Sequence, residues 1–174
     1  DRWVYYAGWA DKYAQVAGGT NPVAGPYFNF SLPEPTGVVA VIAPQESSLL
    51  GLVSVLAPVI TTGNTAVVVA SQARPLPAVS LAEVLATSDL PGGAVNVLTG
   101  ITDELAPWLA GHRDVNAIDL SGVAQGERPA LQVRAAENVK RVFVPKSLDW
   151  QADPGTRRLG AFVETKTVWH PIGS

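Results

Sequence analysis

The sequence contains 174 residues, 47% of them hydrophobic and 16% charged, and carries a formal net charge of −3. This length and composition predict one domain, or one domain with an extension, and they exclude a disordered chain and a basic nucleic-acid-binding surface. Because there is no cysteine, the sequence also excludes a disulfide framework, a zinc–thiolate site and a cysteine nucleophile.

Residues 1–17 predict an amphipathic helix that Gly18 and Gly19 end. Its apolar side chains recur at steps of three and four: Trp3, Tyr6, Ala7, Ala10, Tyr13 and Ala14. The next residues, 20–36, are rich in Pro, Gly and Asn and contain the alternating stretch Tyr27–Phe30. They predict an extended arm or a short strand pair, ended by Pro33 and Pro35.

From Gly37 to Val144 the pattern alternates between short β-branched runs and longer helical segments. The predicted strands are Gly37–Ala43, Thr65–Ala70, Ala94–Leu98, Val115–Leu120 and Val139–Val144. The predicted helices are Ser47–Thr61, Leu76–Thr87, Asp103–Ala110 with Thr102 as its N-cap, and Gln125–Ala136 with Pro129 near its start. This alternation predicts an α/β fold with an open, mostly parallel sheet and helices on both faces.

The tail has a different character. Pro145–Gly160 is polar, with a turn signal at Pro154–Gly155, and Ala161–His170 reads as one long strand whose two faces both mix polar and apolar residues. Such a strand suits the edge of another sheet better than the centre of one. The predicted organisation is a helix and arm segment over residues 1–36, the α/β domain over 37–144, and a link with an arm strand over 145–174.

Nothing in the sequence predicts a membrane or secreted protein. The longest apolar run, Leu49–Ile60, is too short for a membrane span and is interrupted by Gly51, Ser54 and Pro58. The start of the chain has no signal-peptide pattern. Because the sequence contains no Met, we expect the natural N-terminus to lie outside these residues, as in a fragment of a longer protein. A cytoplasmic location is the default expectation.

The loop after the first strand offers candidate chemical groups. Glu46 is a candidate acid or base, and Ser47 or Ser48 a candidate nucleophile. No histidine lies near them in sequence and no triad order is apparent. The favoured interpretation is therefore a helix start, in which a serine caps the helix and Glu46 complements its dipole.

Other candidates have similarly plain interpretations. Arg74 would suit a phosphate but more often is a solvated loop charge. Gly122 and Gly126, ahead of a helix, would admit a pyrophosphate, but the full Gly-x-Gly-x-x-Gly pattern is absent and turn geometry explains them equally well. Asp119 interrupts an apolar strand, which places it at a strand end or a subunit contact; a catalytic role is the minority interpretation. No metal site is predicted, since the remaining acids and histidines lack ligand spacing: Asp103, Glu104, Asp114, His112 and His170.

Five segments carry a more specific pattern. The most distinctive is Leu90–Gly100 (Leu-Pro-Gly-Gly-Ala-Val-Asn-Val-Leu-Thr-Gly), and the others are Glu34–Pro44, Leu56–Thr65, Asn138–Val142 and Lys166–Trp169. Together they resemble the coenzyme-binding domain of the aldehyde dehydrogenase superfamily, and weaker similarity covers almost the whole chain. The resemblance implies a Rossmann-like fold with an extended β oligomerisation arm.

The departures from the family pattern point to lost chemistry. In active members a Trp-Asn pair follows Ile-Ala-Pro and the Asn helps form the oxyanion hole, whereas this sequence has Gln45 and Glu46, and a carboxylate would repel the oxyanion. The lysine that holds the adenosine ribose is replaced by Val69. The motif that meets the pyrophosphate keeps Gly122 but ends in Val123. By resemblance, the vestigial coenzyme positions are Pro44, Gln45, Val69, Ser71, Gln72, Gly122 and Val123.

After Val144 the family pattern would continue into a large catalytic domain with its cysteine, but this sequence passes through a short link to the final strand. It is similar in this respect to the truncated, non-catalytic second copy found in two-domain aldehyde dehydrogenases and in some proline utilization A proteins. That resemblance implies an arm that mediates subunit contacts. The predicted contact residues are Tyr27, Phe28, Phe30, Phe162, Glu164, Lys166, Val168 and Trp169.

The predicted function is therefore a pseudoenzyme domain without cofactor, which associates with itself or with a catalytic aldehyde dehydrogenase domain. A residual NAD-binding module, or part of an NAD-dependent aldehyde dehydrogenase whose catalytic domain lies elsewhere, is the alternative. An active aldehyde dehydrogenase with a nucleophile other than cysteine is the third hypothesis, and no candidate nucleophile has a base beside it.

Overall fold

Two β-sheets organise the protein, which a computed structural model describes over residues 1–146 and 148–173. The strands are β1 (Gly19–Thr20), β2 (Tyr27–Pro35), β3 (Val38–Ile42), β4 (Thr65–Val69), β5 (Val95–Leu98), β6 (Ala117–Asp119), β7 (Arg141–Phe143) and β8 (Val163–Pro171). The helices are α1 (Arg2–Ala10), α2 (Tyr13–Ala17), α3 (Leu50–Thr61), α4 (Leu76–Ala86), α5 (Thr102–Gly111), α6 (Arg128–Ala136) and α7 (Arg157–Ala161).

The larger sheet contains five parallel strands in the order β5-β4-β3-β6-β7. Side chains alternate between the two faces of its central strand, β3, and both faces are buried. Val39 and Val41 pack into a core with α3, while Ala40 and Ile42 pack into a second core with α5 and α6. This arrangement confirms the predicted α/β fold with helices on both faces of a parallel sheet.

A third, smaller cluster joins the N-terminal helix to the rest of the chain. Tyr6 of α1 packs with Val53 and Ala57 of α3 and with Leu159 of α7. The cluster therefore fixes α1 and the end of the 145–162 link against the same helix. The link contains α7, which the polar sequence pattern did not predict.

The smaller sheet is antiparallel, with β2 between β1 and β8. β2 and β8 pair over nine residues, from Tyr27 opposite Pro171 to Pro35 opposite Val163. We refer to this three-stranded sheet as the arm. The predicted long final strand therefore pairs with β2 of its own chain.

The hydrogen-bond alternation of the arm explains how β2 passes through a proline. In antiparallel pairs, facing residues alternate between those that exchange hydrogen bonds and those whose N–H and C=O groups turn away. Ile172 N donates to Pro26 O at 2.9 Å and Thr36 N donates to Phe162 O at 3.2 Å, which identifies the even-numbered β2 positions as the bonded ones. Pro33 is therefore at a non-bonded position and loses no ladder bond to β8, so the prediction that it ends the strand was wrong.

The same alternation defines the outer edge of the arm. The residues of β8 that face non-bonded positions turn their backbone groups away from β2: Val163, Thr165, Thr167 and Trp169. No strand among the described residues pairs with that side of β8. The arm thus presents an unpaired edge.

Several helix boundaries differ from the predictions. Residues 1–17 form two helices, because Lys12 N donates to Trp9 O in a tighter turn that interrupts the regular helical ladder. α3 begins at Leu50, later than predicted. Thr102 is the first residue of α5 and does not cap it. α6 begins at Arg128, which places Pro129 in its first turn, where a missing N–H breaks no helical hydrogen bond.

Candidate functional site

The carboxyl ends of the parallel strands open into a cleft of about 820 Å³, the place where α/β sheets bind ligands. Loops after β3, β4 and β6, the start of α5 and the link form its walls. Its lining residues include Pro44, Gln45, Glu46, Gln72, Thr102, Asp103, Gly122, Val123, Glu127 and Trp150. The structure thus places most of the predicted coenzyme positions together.

Gln45 ties three walls of the cleft to one another. Its Oε1 accepts a hydrogen bond from Gln72 N at 2.8 Å, and its Nε2 donates to Ala43 O at 3.1 Å and to Thr102 Oγ1 at 3.4 Å. Ser71 Oγ donates to Gln45 O at 3.0 Å. The amide therefore uses its polar atoms on the protein itself.

The charges along the cleft have one sign. Its ionisable lining residues are Glu46, Asp103 and Glu127, and no lysine or arginine lines it among the described residues. Arg74 lies outside the lining and donates from Nη1 to Glu46 O at 3.3 Å. Three carboxylates facing a dinucleotide pyrophosphate would repel it, since unpaired like charges raise each other's energy.

Val69 and Gly122 are both held by packing at the coenzyme-type positions. Val69 has no exposed surface, so it presents nothing to the cleft. Gly122 has no space for a side chain: an added Cβ would lie 2.1 Å from Ala43 O. This close approach gives Gly122 a packing role that requires no ligand, whereas a Cβ on Gly126 would meet nothing within 4 Å. Among the described residues, the cleft offers a dinucleotide no lysine or arginine side chain.

Asp119 belongs to a buried network. It is fully buried at the end of β6, accepts hydrogen bonds from Ser121 N and Ser121 Oγ, and forms an ion pair with Arg158 of α7. The Arg158 guanidinium also lies over the Phe143 ring at 4.4 Å. Burial raises the pKa of Asp119, and Arg158 and Ser121 oppose that rise. Of the two predicted locations, the strand end is confirmed; sequence reasoning missed Arg158 because no local pattern links it to Asp119.

The predicted acid, base and metal candidates do not come together. Ser47 Oγ accepts from Gly51 N at 2.9 Å in the first turn of α3. The N-cap residue of α3 is Leu49, so the prediction that a serine occupies the cap position was wrong. His112 Nδ1 accepts from Asp114 N at 3.2 Å, and the exposed His170 lies in β8. No group of metal-ligating side chains occurs in residues 1–146 and 148–173.

Exposed aromatic side chains lie on both faces of the arm. Tyr27, Phe28 and Trp169 are 43%, 46% and 60% exposed. The Tyr27 and Trp169 rings lie 5.8 Å apart across the strand pair, and Phe28 lies 5.3 Å from Phe30. Exposed aromatic groups of this kind are enriched at protein interfaces.

The other predicted contact residues of the arm are engaged within the chain. Glu164 pairs with Arg141 at 2.6 Å, and Lys166 pairs with Glu34 at 2.8 Å. Val168 is half-buried. The prediction that Phe162 is a contact residue was wrong. It precedes β8, is fully buried, and its ring lies 6.1 Å from that of Phe143, so it has no surface available to another subunit.

The chain is similar to known proteins of one family. The model of the "Aldehyde dehydrogenase family" matches residues 1–145. Human mitochondrial aldehyde dehydrogenase is 34% identical over 138 residues, covering 79% of this chain and 26% of that protein. The putative aldehyde dehydrogenase DhaS of Bacillus subtilis is also 34% identical, with 79% and 27% covered. The chain therefore spans about a quarter of the length of these curated relatives.

Solved structures give the same result. Betaine aldehyde dehydrogenase of Staphylococcus aureus, in complex with NAD⁺, superposes with a TM-score of 0.73 at 25% identity, covering 81% of this chain and 27% of that one. PnpE of Pseudomonas sp. WBC-3 superposes with a TM-score of 0.72 at 29% identity, covering 79% and 28%. Within the described residues, no helix has the length and hydropathy needed to cross a membrane.

Proposed function

Since the chain belongs to the aldehyde dehydrogenase family, we propose that it is a non-catalytic domain that assembles with a catalytic aldehyde dehydrogenase domain or with copies of itself. The catalytic domain would lie on the same polypeptide or on another one. The 174 residues contain no cysteine, so the thiol chemistry that the family resemblance implies would come from that partner. The cytoplasm is the compartment we propose for it.

The cleft supports the non-catalytic part of the proposal. Gln45 spends its amide on the walls of the cleft, and the ionisable groups that line it are all acidic. Among the described residues, no histidine lines the cleft, so no hydroxyl group there has a histidine base beside it. The chain thus has the family fold, but its cleft lacks basic side chains and a histidine base among the described residues.

The observation that carries the assembly part is the unpaired outer edge of β8. Backbone N–H and C=O groups of Thr165, Thr167 and Trp169 face outward, and Trp169 and Phe28 add exposed aromatic surface on the arm. An edge of this length is a template for another strand, and natural proteins usually block such edges unless they are used. Strand addition would give affinity through the main chain and specificity through the exposed side chains.

A proline at the outer edge tests the proposal. Thr165 is exposed, faces Pro33 and turns its N–H away from β2, so Thr165→Pro leaves the β2–β8 ladder intact. The proline removes an outward donor and places its ring against an added strand, so we expect association to weaken by at least about tenfold. Light scattering coupled to size-exclusion chromatography would show a smaller species, and circular dichroism would show an unchanged fold.

Thr165→Val is the matched control, because it keeps the N–H and the β-branched shape. It should leave the molecular mass unchanged. The proposal fails if Thr165→Pro folds normally and assembles as the unsubstituted protein does, or if the unsubstituted protein stays monomeric and binds no catalytic aldehyde dehydrogenase domain.

A residual NAD-binding module remains the second candidate, favoured by one observation: the cleft keeps the position and volume of a coenzyme site. We expect calorimetric titration with NAD⁺ or NADH to give no saturable binding below about millimolar concentration, because the cleft supplies carboxylates where a pyrophosphate needs donors. Micromolar binding that Glu46→Gln strengthens would instead favour this second function.

A further inference from the structure

A second cavity, of about 250 Å³, lies between α1, α3 and the link, beside Phe143 at the end of β7. Tyr6 and Arg2 of α1 form one wall, Phe143 forms another, and described residues of the link cover it, among them Pro145, Trp150 and Pro154. It shares only Trp150 with the coenzyme-type cleft among the described residues. The two cavities are therefore separate places in the fold.

Positive groups converge on this cavity. Its basic lining residues are Arg2, Lys146, Arg157 and Arg158. Arg158 is balanced by Asp119, but Arg2 and Arg157 have no carboxylate partner among the described residues. Arg2 Nη2 donates to Trp150 O at 2.5 Å and Arg157 Nη2 donates to Val144 O at 3.1 Å, which positions the guanidinium groups without neutralising them.

The acidic groups at the cavity are fewer. They are Asp149 and Asp153 of the link, which accept backbone hydrogen bonds within the link itself from Gln151 N and Gly155 N, each at 3.0 Å. With the Asp119–Arg158 pair neutral, Arg2, Lys146 and Arg157 outnumber these two carboxylates. The cavity therefore keeps a net positive charge.

The buried side chain of Tyr6 forms part of the wall of this cavity. Tyr6 has no exposed surface, lines the cavity, and its Oη has no hydrogen-bond partner among the described residues. Burial raises the pKa of Tyr6 to about 12, so the hydroxyl stays protonated near neutral pH and can donate. A buried donor without a partner is rare in folded proteins and calls for an acceptor.

We propose that this cavity binds a small oxyanion, a carboxylate or phosphate group, through Arg2 and the Tyr6 hydroxyl, with Lys146 adding charge at the link. Guanidinium groups and hydroxyl donors are the usual partners of such anions. The volume is below the range of about 300–1,000 Å³ typical of drug-sized ligands, so it excludes a dinucleotide. The site is independent of the arm and of the assembly role proposed above.

Tyr6→Phe separates this proposal from a purely structural role. The substitution keeps the buried ring, and without ligand it should leave the melting temperature equal or higher, since it removes an unpartnered buried hydroxyl. Inorganic phosphate or acetate should raise the melting temperature of the unsubstituted protein, because a ligand that binds the folded state stabilises that state. In Tyr6→Phe the affinity measured by calorimetry should fall by at least about tenfold, the loss expected for a hydrogen bond to a charged group.

Salt controls and three further variants complete the experiment. Sodium chloride at matched ionic strength measures a general salt effect, and phosphate and acetate titrated separately distinguish the two sources of the oxyanion. Arg2→Gln should weaken binding, whereas Arg134→Gln, at an exposed position of α6, should not. Glu46→Gln removes a negative charge from the coenzyme-type cleft, so it should leave binding unchanged unless the anion occupies that cleft.

The expected result is saturable binding of phosphate or acetate that needs Tyr6 and Arg2 and is indifferent to Arg134 and Glu46. A shift that chloride reproduces overturns the proposal, as does binding that Tyr6→Phe leaves intact. Binding that Glu46→Gln strengthens would place the anion in the other cleft and also overturn it.

Discussion

Arg158→Met is expected to destabilise the protein by about 3–5 kcal/mol, the range for removing one partner of a buried ion pair. Asp119 is fully buried and depends on Arg158 and Ser121 for its partners. The substitution leaves its carboxylate without a counter-charge and also removes the guanidinium that packs over the Phe143 ring. Chemical unfolding monitored by circular dichroism at neutral pH would measure the loss.

The pH dependence of the variant identifies the cause. Without Arg158, burial acts on the pKa of Asp119 with less opposition, and the folded-state pKa rises further above the unfolded value near 3.8. A raised folded pKa means that stability is greatest below the unfolded pKa and is lost as pH rises through the folded pKa. The difference between Arg158→Met and the unsubstituted protein should therefore shrink as the solution is made more acidic.

A double substitution supplies the control. Arg158→Met combined with Asp119→Leu removes both charges, and it should be less destabilising than the two single changes added together. A loss well below 1 kcal/mol for Arg158→Met alone would contradict the buried-pair interpretation. A pH-independent loss would assign the effect to packing of Arg158 on Phe143 instead.

The contrast between β3 and this ion pair shows what a sequence can predict here. β3 was predictable because consecutive β-branched residues have few alternatives to a buried strand, and its parallel neighbours follow from the intervening helical segments. Asp119 and Arg158 are 39 residues apart and lie on elements of different type. Only the packing of α7 against the sheet brings them together, and the polar link that contains α7 gave no periodic signal.

The candidate site divides in the same way. The loops after β3, β4 and β6 were predictable as cleft walls, because the carboxyl ends of parallel strands lie at one edge of the sheet. The use of the Gln45 amide on Gln72 and Thr102 was not, since it depends on loop conformations that residue type does not specify. Pro33 misled the strand assignment because sequence alone does not reveal which side of a strand carries the hydrogen bonds.

Gly122→Ala is the other large expected effect. An added Cβ would lie 2.1 Å from Ala43 O and 2.7 Å from Ile42 O, and both are backbone atoms that cannot rotate away. Gly122 N also donates to Ile42 O at 2.9 Å, so the loop after β6 is held against the end of β3. Relief would require the two to separate, and we expect destabilisation of about 3 kcal/mol or more, the upper end for overpacking.

Gly126→Ala is the matched control four residues away. Its Cβ would meet nothing within 4 Å, so its effect on the free energy of unfolding should stay within about 0.5 kcal/mol, or be slightly stabilising through the unfolded chain. Thermal and chemical unfolding of the two variants, measured without any nucleotide, would test the pair. If Gly122→Ala is as stable as Gly126→Ala, the close approach is not a constraint. If it is strongly destabilised, the packing of the loop after β6 against β3 is sufficient reason for a glycine at position 122, with or without a coenzyme.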